Sequence, residues 1–434
     1  MDTESDINSD TNDSITSTIF YNIFNDLTEN EFNDVIDTIE YLFLTYIDEY
    51  FINMKEHKFI DNCINTIANE LYIYWLDYNI CTINNFDEIY SIVSSQINVL
   101  LIKHSILPYV SEHNLDRLNN IDNINDIIKY VNSIPQPEQK STEWYKFRNN
   151  LISASSMWKV FKSNTTKNNL INEKTKPKNY NNIFAASMEW GNKYEPISIL
   201  IYEYMFNTKI GEYGCLAHKD YPFIGASPDG INIKQNSPLY GRMLEIKNIV
   251  NRDITGIPKE DYWIQTQIQM ETFNLNYCDF LETRFIEYTE FEFYNDTISE
   301  YKGIILHFTK NFNNDTETSI YDINSIKPIY EYYPINKCIE YQDIQSWIND
   351  IRNKYNDDYI LYTTLYWKLD ELSCVLIERN KKWFNTALPY IKDTYDQILD
   401  NRKKNNLIIN IDDNNNHIIH NMPLNNKYIN VIKK

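Results

Sequence analysis

Residues 223–249 read FIGASPDGINIKQNSPLYGRMLEIKNI, and a Pro-Asp-Gly turn centred on Asp229 separates two strand-like runs. Alternate residues of a strand share one face, so Glu245 and Lys247 project together while Ile246 points back into the core. If the two strands pair, Asp229 meets Glu245. Two carboxylates suit Mg²⁺ or Mn²⁺, and the backbone carbonyl of Ile246 is placed to be a further ligand.

Such a site suits hydrolysis of a phosphodiester, because the transition state gathers negative charge that cations stabilise. Lys247 is placed to orient a metal-bound water and help to deprotonate it. Taken alone, however, a D…ExK pattern is more often an ordinary hairpin with an exposed Glu–Lys pair, since short motifs are common by accident.

The flanking sequence predicts an α/β or α+β core, a mixed central sheet flanked by helices. The predicted elements are two short helices within 141–161, the second capped by Ser153, a helix over 195–206 with Pro196 in its first turn, strands over 209–218, 223–226 and 242–249, and a helix over 261–273.

The net charge of −21, from 61 acidic and 40 basic residues, argues against a nucleic-acid partner when taken as a whole. It is unevenly spread. Residues 1–140 hold 24 acidic and 6 basic residues, a net charge of −18, whereas residues 141–290 hold 17 of each. The neutral middle segment is therefore where we look for a function.

The composition of the chain and the spacing of its apolar residues divide it into four parts. We predict a disordered tail over 1–15, an acidic all-helical domain over 16–140, a core over 141–310 and a mostly helical region over 311–434. Residues 162–182 predict a basic loop, with one acid, Glu173, against five lysines that are candidates for DNA contact. These are Lys162, Lys167, Lys174, Lys176 and Lys178.

Further motifs surround the hairpin. They are, in chain order, Trp144-Tyr-x-x-Arg148 with Ser153-Ala154-Ser155, Trp190-Gly191-x-x-Tyr194-Glu195, Ser227-Pro228-Asp229-Gly230, Glu245-x-Lys247, and Tyr262-x-x-Gln265-x-Gln267-x-Gln269-Met270. In this order they resemble the lambda-exonuclease and YqaJ-type viral recombinase branch of the PD-(D/E)xK nuclease superfamily, which has a restriction-endonuclease-like core. Abundant Asn, Ile, Lys and Tyr indicate an AT-rich genome, such as that of a large DNA virus.

The resemblance implies a role for each motif residue. Asp229 and Glu245 would ligate the metal, Lys247 would be the catalytic lysine, and Glu195 would be an accessory acid of the metal site. Gln265 matches a glutamine beside the active site. Arg148 and Ser155 match residues that hold a DNA 5′-phosphate, which agrees with the fork that an arginine offers to phosphate oxygens.

Each of these residues also has an ordinary structural explanation. Arg148 fits a solvated helix residue, Ser155 a residue of a first helical turn, and Glu195 a first-turn acid favoured by the helix dipole. Gln265 and Gln269, spaced i,i+4, fit a polar helix face.

Our first hypothesis is a Mg²⁺-dependent exonuclease that degrades double-stranded DNA from 5′ ends in recombination, repair or defence against foreign DNA. The second is an endonuclease of the same fold. The third is a non-catalytic DNA-end-binding or scaffold protein.

The sequence also predicts cofactors and partners. The paired carboxylates predict Mg²⁺, with Mn²⁺ as the alternative. Because the sequence has no P-loop and no cysteine cluster, we expect no ATP, no iron–sulfur cluster and no zinc. By resemblance we expect DNA ends as substrate, a homo-oligomer, and a helicase or single-strand-annealing protein as partner. No membrane segment is apparent, and scattered cysteines favour a reducing, cytoplasmic location, or the host cytoplasm or virion of a virus.

Overall fold

The computed structural model describes residues 27–113, 115, 120–137, 141–176, 186–311, 328–337, 339–355 and 359–404. The predicted disordered tail, 1–15, and Lys178 lie outside these residues.

The helices are α1 Glu29–Tyr50, α2 Phe59–Asp77, α3 Phe86–Lys103, α4 Ile121–Ser133, α5 Thr142–Asn149, α6 Ala154–Met157, α7 Lys159–Lys162, α8 Asn164–Thr175, α9 Ala186–Met205, α10 Glu260–Phe273, α11 Glu290–Asn295, α12 Tyr341–Tyr355 and α13 Lys381–Lys404, with a 3-10 helix at Phe51–Lys55. The strands are β1 Ser111–Glu112, β2 Ile152–Ser153, β3 Ile210–Gly211, β4 Leu216–Ala217, β5 Ile224–Ala226, β6 Gly230–Asn232, β7 Met243–Asn248, β8 Tyr277–Tyr288, β9 Lys302–Lys310, β10 Ile329–Tyr332 and β11 Tyr359–Glu378.

The first compact unit contains α1, α2 and α3 and comprises, of the described residues, 27–50 and 58–106. In α1 the buried side chains are Ile39, Phe43 and Ile47, which recur every four residues and so form one apolar face. The predicted helical N-terminal region is confirmed. The predicted boundary near residue 140 stays a prediction.

The second unit comprises residues 51–57 and the described residues from 107 onward. Its main sheet has the strand order β10-β9-β11-β8-β7-β6-β3, and β1 pairs with β11. β7 and β8 run parallel, whereas the other neighbouring strands of this sheet are antiparallel. A smaller sheet has the order β2-β5-β4. A mixed sheet flanked by helices confirms the predicted fold class.

Strand β7 lies between helices α9 and α10. Its alternate side chains point to opposite faces of the sheet, so one set faces α9 and the other faces α10. Ile246 packs into a buried cluster with Leu244, Leu281 and Tyr202 of α9. Glu245 points the other way and contacts α10. In helix α10 every residue from Trp263 to Phe273 is buried except Gln265, which is partly buried, so most of its polar side chains lie inside the protein.

Three local predictions are corrected. The predicted strand over 209–218 is two short strands, β3 and β4, which belong to different sheets. Helix α9 begins at Ala186, so Pro196 lies inside the helix and not in its first turn. Ser153 occupies the N-cap position of α6 in an extended conformation, but its side chain makes no capping hydrogen bond.

The predicted basic loop over 162–182 is also wrong for its first half. Ser163 caps helix α8 by accepting a hydrogen bond from Thr166 N at 3.2 Å. Leu170 and Ile171 are buried, so the segment has an apolar side that holds the helix against the protein. Because the segment is polar overall, its two buried apolar residues did not predict a helix.

The C-terminal region contains a strand that the sequence analysis did not predict. Helices α12 and α13 agree with the predicted helical character of this region, but β11 runs between them for 20 residues and pairs with both β8 and β9. Its β-branched and aromatic residues, such as Thr363, Thr364 and Trp367, favour a strand. None of the described helices has the length and apolar character that crossing a membrane requires.

Candidate active site

The hairpin of β6 and β7 brings the central motif residues together. The register pairs Gly230 with Leu244, so Asp229, which directly precedes β6, lies at the level of Glu245. The backbone N–H of Ile246 donates to Asp229 Oδ2 at 2.7 Å and fixes the carboxylate on its turn. The strand pairing predicted from the sequence is therefore present.

Glu245 is the most enclosed residue of this group, with 1% of its surface exposed. Its Oε1 accepts hydrogen bonds from Gln265 Nε2, at 2.7 Å, and from Lys247 Nζ. Its Oε2 accepts from Gln269 Nε2 at 2.7 Å. A buried carboxylate with donors on both oxygens is held in one orientation.

Charge is concentrated around Asp229. Burial raises the pKa of the Asp229 carboxyl well above its ordinary value, the carboxylates of Glu245 and Glu195 raise it further, and Lys247 offsets part of the rise. For Lys247, burial lowers the pKa, but attraction to Glu245 and Asp229 outweighs burial and raises it above its ordinary value. The lysine is therefore a cation at neutral pH.

Glu195 and Ile246 complete the predicted metal set. Glu195 lies in the tenth position of α9, so the first-turn explanation of this acid is wrong, and it is close enough to raise the pKa of Asp229. The side chain of Ile246 lies in the apolar cluster beside α9, and its N–H holds Asp229. Its carbonyl as a metal ligand stays a prediction.

The donor set fits a hard divalent cation. Oxygen donors from carboxylates are what Mg²⁺ prefers, and Asp229, Glu245 and Glu195 supply them. Their mutual repulsion, expressed in the raised pKa of Asp229, is relieved by a bound cation. Lys247, which is hydrogen-bonded to Glu245, already offsets part of this repulsion.

Arg148 and Ser155 form a second polar group at the start of α6. Arg148 Nη2 donates to Ser155 Oγ at 3.0 Å and to Ser153 Oγ at 3.3 Å. The guanidinium carbon lies 4.3 Å from the ring centroid of Trp144, a cation–π contact. Burial lowers the pKa of Arg148, yet an arginine remains charged in proteins. Ser155 is exposed, so the group opens to solvent.

The backbone behind Arg148 is fixed by two cations, the buried Lys174 and the partly buried Arg402. Lys174 Nζ donates to the carbonyl of Arg148 at 2.7 Å. Arg402 Nη2 donates to the carbonyls of Asn149, at 2.6 Å, and of Lys174, at 2.8 Å. These bonds hold the end of α5, from which the Arg148 side chain projects.

The five candidate lysines are not equivalent. Lys174 is only 7% exposed and uses its ammonium on the Arg148 carbonyl, so its assignment as a DNA contact is wrong. Lys167 Nζ pairs with Asp393 at 2.8 Å. Lys162 and Lys176 are exposed and remain predicted contacts.

Gln269 is the site residue whose role the sequence analysis missed. It appeared there in the glutamine motif and as part of a polar helix face, without a role of its own, yet it bonds Glu245 directly. The available signal was its i,i+4 spacing from Gln265, which places both amides on the same side of α10.

A separate buried network lies between β1, β8 and β11. Ligand atoms of His113, Asp279 and Cys374 lie within 4.8 Å of one another. Arg242 Nη1 also donates to Asp279, at 3.1 Å, and Tyr202 donates to it at 2.6 Å. Because Arg242 already neutralises the carboxylate, the network is a buried ion pair without need of a cation.

Comparison with known families agrees with the motif order. Residues 143–276 match the YqaJ-like viral recombinase domain. This part of the chain is therefore similar to that family over about 130 residues, and the rest of the chain lies outside the match. The segment holds Arg148, Ser155, Glu195, Asp229 and Glu245, together with Lys247, Gln265 and Gln269, so the predicted resemblance is confirmed.

An uncharacterized protein of Acanthamoeba polyphaga mimivirus is 32% identical over 306 residues, which is 63% of this chain and 54% of that protein. The chain thus spans about half the length of this viral relative. Among solved structures, the alkaline exonuclease LHK-Exo of Laribacter hongkongensis is similar at 16% identity and a TM-score of 0.36, over 62% of this chain and 97% of that one. A phage-related exonuclease of Haemophilus somnus is similar at 15% identity and a TM-score of 0.30, over 58% and 94%.

Proposed function

We propose that the chain is a divalent-metal-dependent DNA nuclease, an exonuclease that degrades duplex DNA from 5′ ends. The observation that carries the proposal is the grouping of Asp229, Glu245 and Lys247 on one hairpin, inside the segment that matches the recombinase family. The relatives known as exonucleases agree with this proposal by their names alone.

Asp229 and Glu245, with Glu195 beside them, would hold a Mg²⁺ or Mn²⁺ ion. Such an ion, when bound, stabilises negative charge on a phosphoryl oxygen and lowers the pKa of a water ligand. Gln265 donates to Glu245 and so keeps the carboxylate turned toward the ion site. Asp229 is held by the N–H of Ile246 at the facing position.

Lys247 acts as a cation. Its raised pKa means that the ammonium keeps its proton at neutral pH, which makes it a donor to the attacking water or to a phosphate oxygen. The expectation that Lys247 also helps to deprotonate a metal-bound water stays a prediction, because a bound cation would offset the carboxylates that raise the pKa of this lysine.

Arg148 and Ser155 would bind the terminal 5′-phosphate. The Trp144 ring orients the guanidinium, and Ser155 already accepts a hydrogen bond from it, so both are arranged before a ligand arrives. Guanidinium groups match phosphate geometry better than ammonium groups do. As partners we propose duplex DNA ends, further copies of the chain, and a helicase or single-strand-annealing protein.

The test is cleavage of four DNA substrates by the purified full chain with Mg²⁺ and with EDTA. These are linear duplex with 5′-phosphate, linear duplex with 5′-hydroxyl, closed circular duplex and single strands. We expect Mg²⁺-dependent release of nucleotides from the phosphorylated linear duplex, and none from the Asp229→Asn or Lys247→Met variants.

Other results identify the alternatives. Cleavage of closed circles would show an endonuclease. End binding that is unaffected by EDTA, with no cleavage of any substrate, would show a non-catalytic end-binding protein and overturn the proposal.

A further inference from the structure

Gln269 connects the two halves of the candidate metal site. Its Nε2 donates to Glu245 Oε2 at 2.7 Å and to the carbonyl of Ser227 at 3.2 Å. Ser227 lies two residues before Asp229, on the turn that presents this acid. One side-chain amide therefore bonds both the Glu245 carboxylate and the backbone of the Asp229 turn.

The orientation of this amide is determined by its neighbours. Gln269 has no exposed surface, and its Oε1 has no hydrogen-bond partner among the described residues. The reversed amide would place Oε1 against a carboxylate oxygen and a carbonyl oxygen, which repel it. The fold thus leaves one acceptor unsatisfied so that both contacts at Nε2 can form.

Gln265 and Gln269 divide the work on Glu245. Gln265 bonds Oε1, which Lys247 also bonds, whereas Gln269 bonds Oε2. Only the second glutamine also reaches the Asp229 turn. Gln269 therefore constrains the spacing between the two carboxylates, whereas Gln265 bonds only Glu245.

We infer that Gln269 is a positioning residue that sets the distance between Glu245 and Asp229 and thereby the affinity of the site for a divalent cation. The inference rests on the proposed function for the identity of the site. Residues that orient metal ligands typically contribute 10- to 100-fold to metal affinity.

Gln267 provides a matched control on the same helix. It is equally buried, but its amide bonds the carbonyl of Glu378, at 2.9 Å, and the N–H of Asn380, at 2.7 Å. Both glutamines thus lose buried hydrogen bonds on substitution, and only Gln269 contacts the candidate metal site.

The experiment measures Mn²⁺ binding to the full chain without DNA, by electron paramagnetic resonance of the free ion, for wild type, Gln269→Met and Gln267→Met. We expect roughly 10- to 100-fold weaker binding for Gln269→Met and wild-type affinity for Gln267→Met. Asp229→Asn defines the signal of this site. Unfolding curves confirm that each variant is folded.

Three results overturn the inference: wild-type Mn²⁺ affinity in folded Gln269→Met, an equal loss in both glutamine variants, or no Mn²⁺ binding that depends on Asp229. If Gln269→Met does not fold, Gln269→Asn retains an amide that is one methylene too short and is judged by the same criterion. A wild type that binds Mn²⁺ here but cleaves no DNA contradicts the proposed function and leaves the Gln269 measurement decisive on its own.

Discussion

Asp229 Oδ2 accepts a 2.7 Å hydrogen bond from the backbone N–H of Ile246, so the carboxylate of one strand is held by the backbone of the next. This bond stabilises the ionised acid, yet burial and the carboxylates of Glu245 and Glu195 outweigh it and raise the pKa of Asp229. The three carboxylates thus repel one another, and a bound cation would relieve this repulsion.

Asp229→Asn should separate activity from stability. Asparagine retains an oxygen for the Ile246 N–H but removes a charge that the metal-free protein holds at a cost. We expect nuclease activity to fall by at least ~10³-fold, because a cation ligand is lost. We expect the free energy of unfolding in EDTA to rise, because the variant lacks a carboxylate whose charge is opposed by burial and by Glu245 and Glu195. Urea unfolding at pH 8 measures it, and Asp253→Asn, in an exposed loop, is the control. If Asp229→Asn is less stable than wild type in EDTA, the Asp229 charge does not destabilise the protein and the prediction is wrong.

The same raised pKa predicts a pH dependence. Above pH ~4 an unfolded aspartate has lost its proton, whereas folded Asp229 keeps it until the pH exceeds its raised pKa. The native state therefore binds more protons in this window, and stability falls as pH rises through it. The stability advantage of Asp229→Asn over wild type in EDTA should grow from pH 5 to pH 8. A constant difference, measured by urea unfolding at each pH, would show that the pKa is ordinary.

The sequence predicted the pairing of Asp229 with Glu245 because turn residues and strand alternation are local signals. It did not predict the role of Gln269, since polar residues are normally assigned to a solvent face, whereas every residue of α10 from Thr266 to Phe273 is buried. Lys174 was misassigned for the same reason, because a lysine is rarely buried unless its ammonium has a partner. Strand β11 has a local signal in its β-branched and aromatic residues, which the sequence analysis did not use, but its pairing with β8 and β9 joins distant parts of the chain and has no local signal.

Arg148 should govern the preference for phosphorylated ends. Loss of a charge-assisted hydrogen bond costs about 1.5–3 kcal/mol, which is roughly 10- to 100-fold in rate or affinity. We expect Arg148→Ala to lower cleavage of 5′-phosphorylated duplex by this factor and to leave 5′-hydroxyl duplex nearly unchanged. Arg148→Lys should recover only part of the preference, because an ammonium lacks the planar fork.

Arg402→Lys is the control for Arg148. Arg402 supports the same helix end through the carbonyls of Asn149 and Lys174. It should lower stability while the ratio of rates on the two kinds of end stays at the wild-type value. If the Arg402 variant also loses the ratio, the effect at Arg148 is structural.

The lysines of the 162–176 segment should separate into structural and DNA-contacting residues. Lys174→Met removes a buried ammonium from the Arg148 carbonyl, so we expect a loss of about 1.5–3 kcal/mol in unfolding free energy. Lys162→Met and Lys176→Met, at exposed positions, should change stability by less than ~0.5 kcal/mol.

If Lys162 and Lys176 contact phosphates, each substitution should reduce the slope of log affinity against log salt by about 0.9. Binding is measured in Ca²⁺, to prevent cleavage. If wild type and both exposed variants show the same salt slope, Lys162 and Lys176 do not contact DNA. If Lys174→Met shows a reduced salt slope, Lys174 does contact DNA after all.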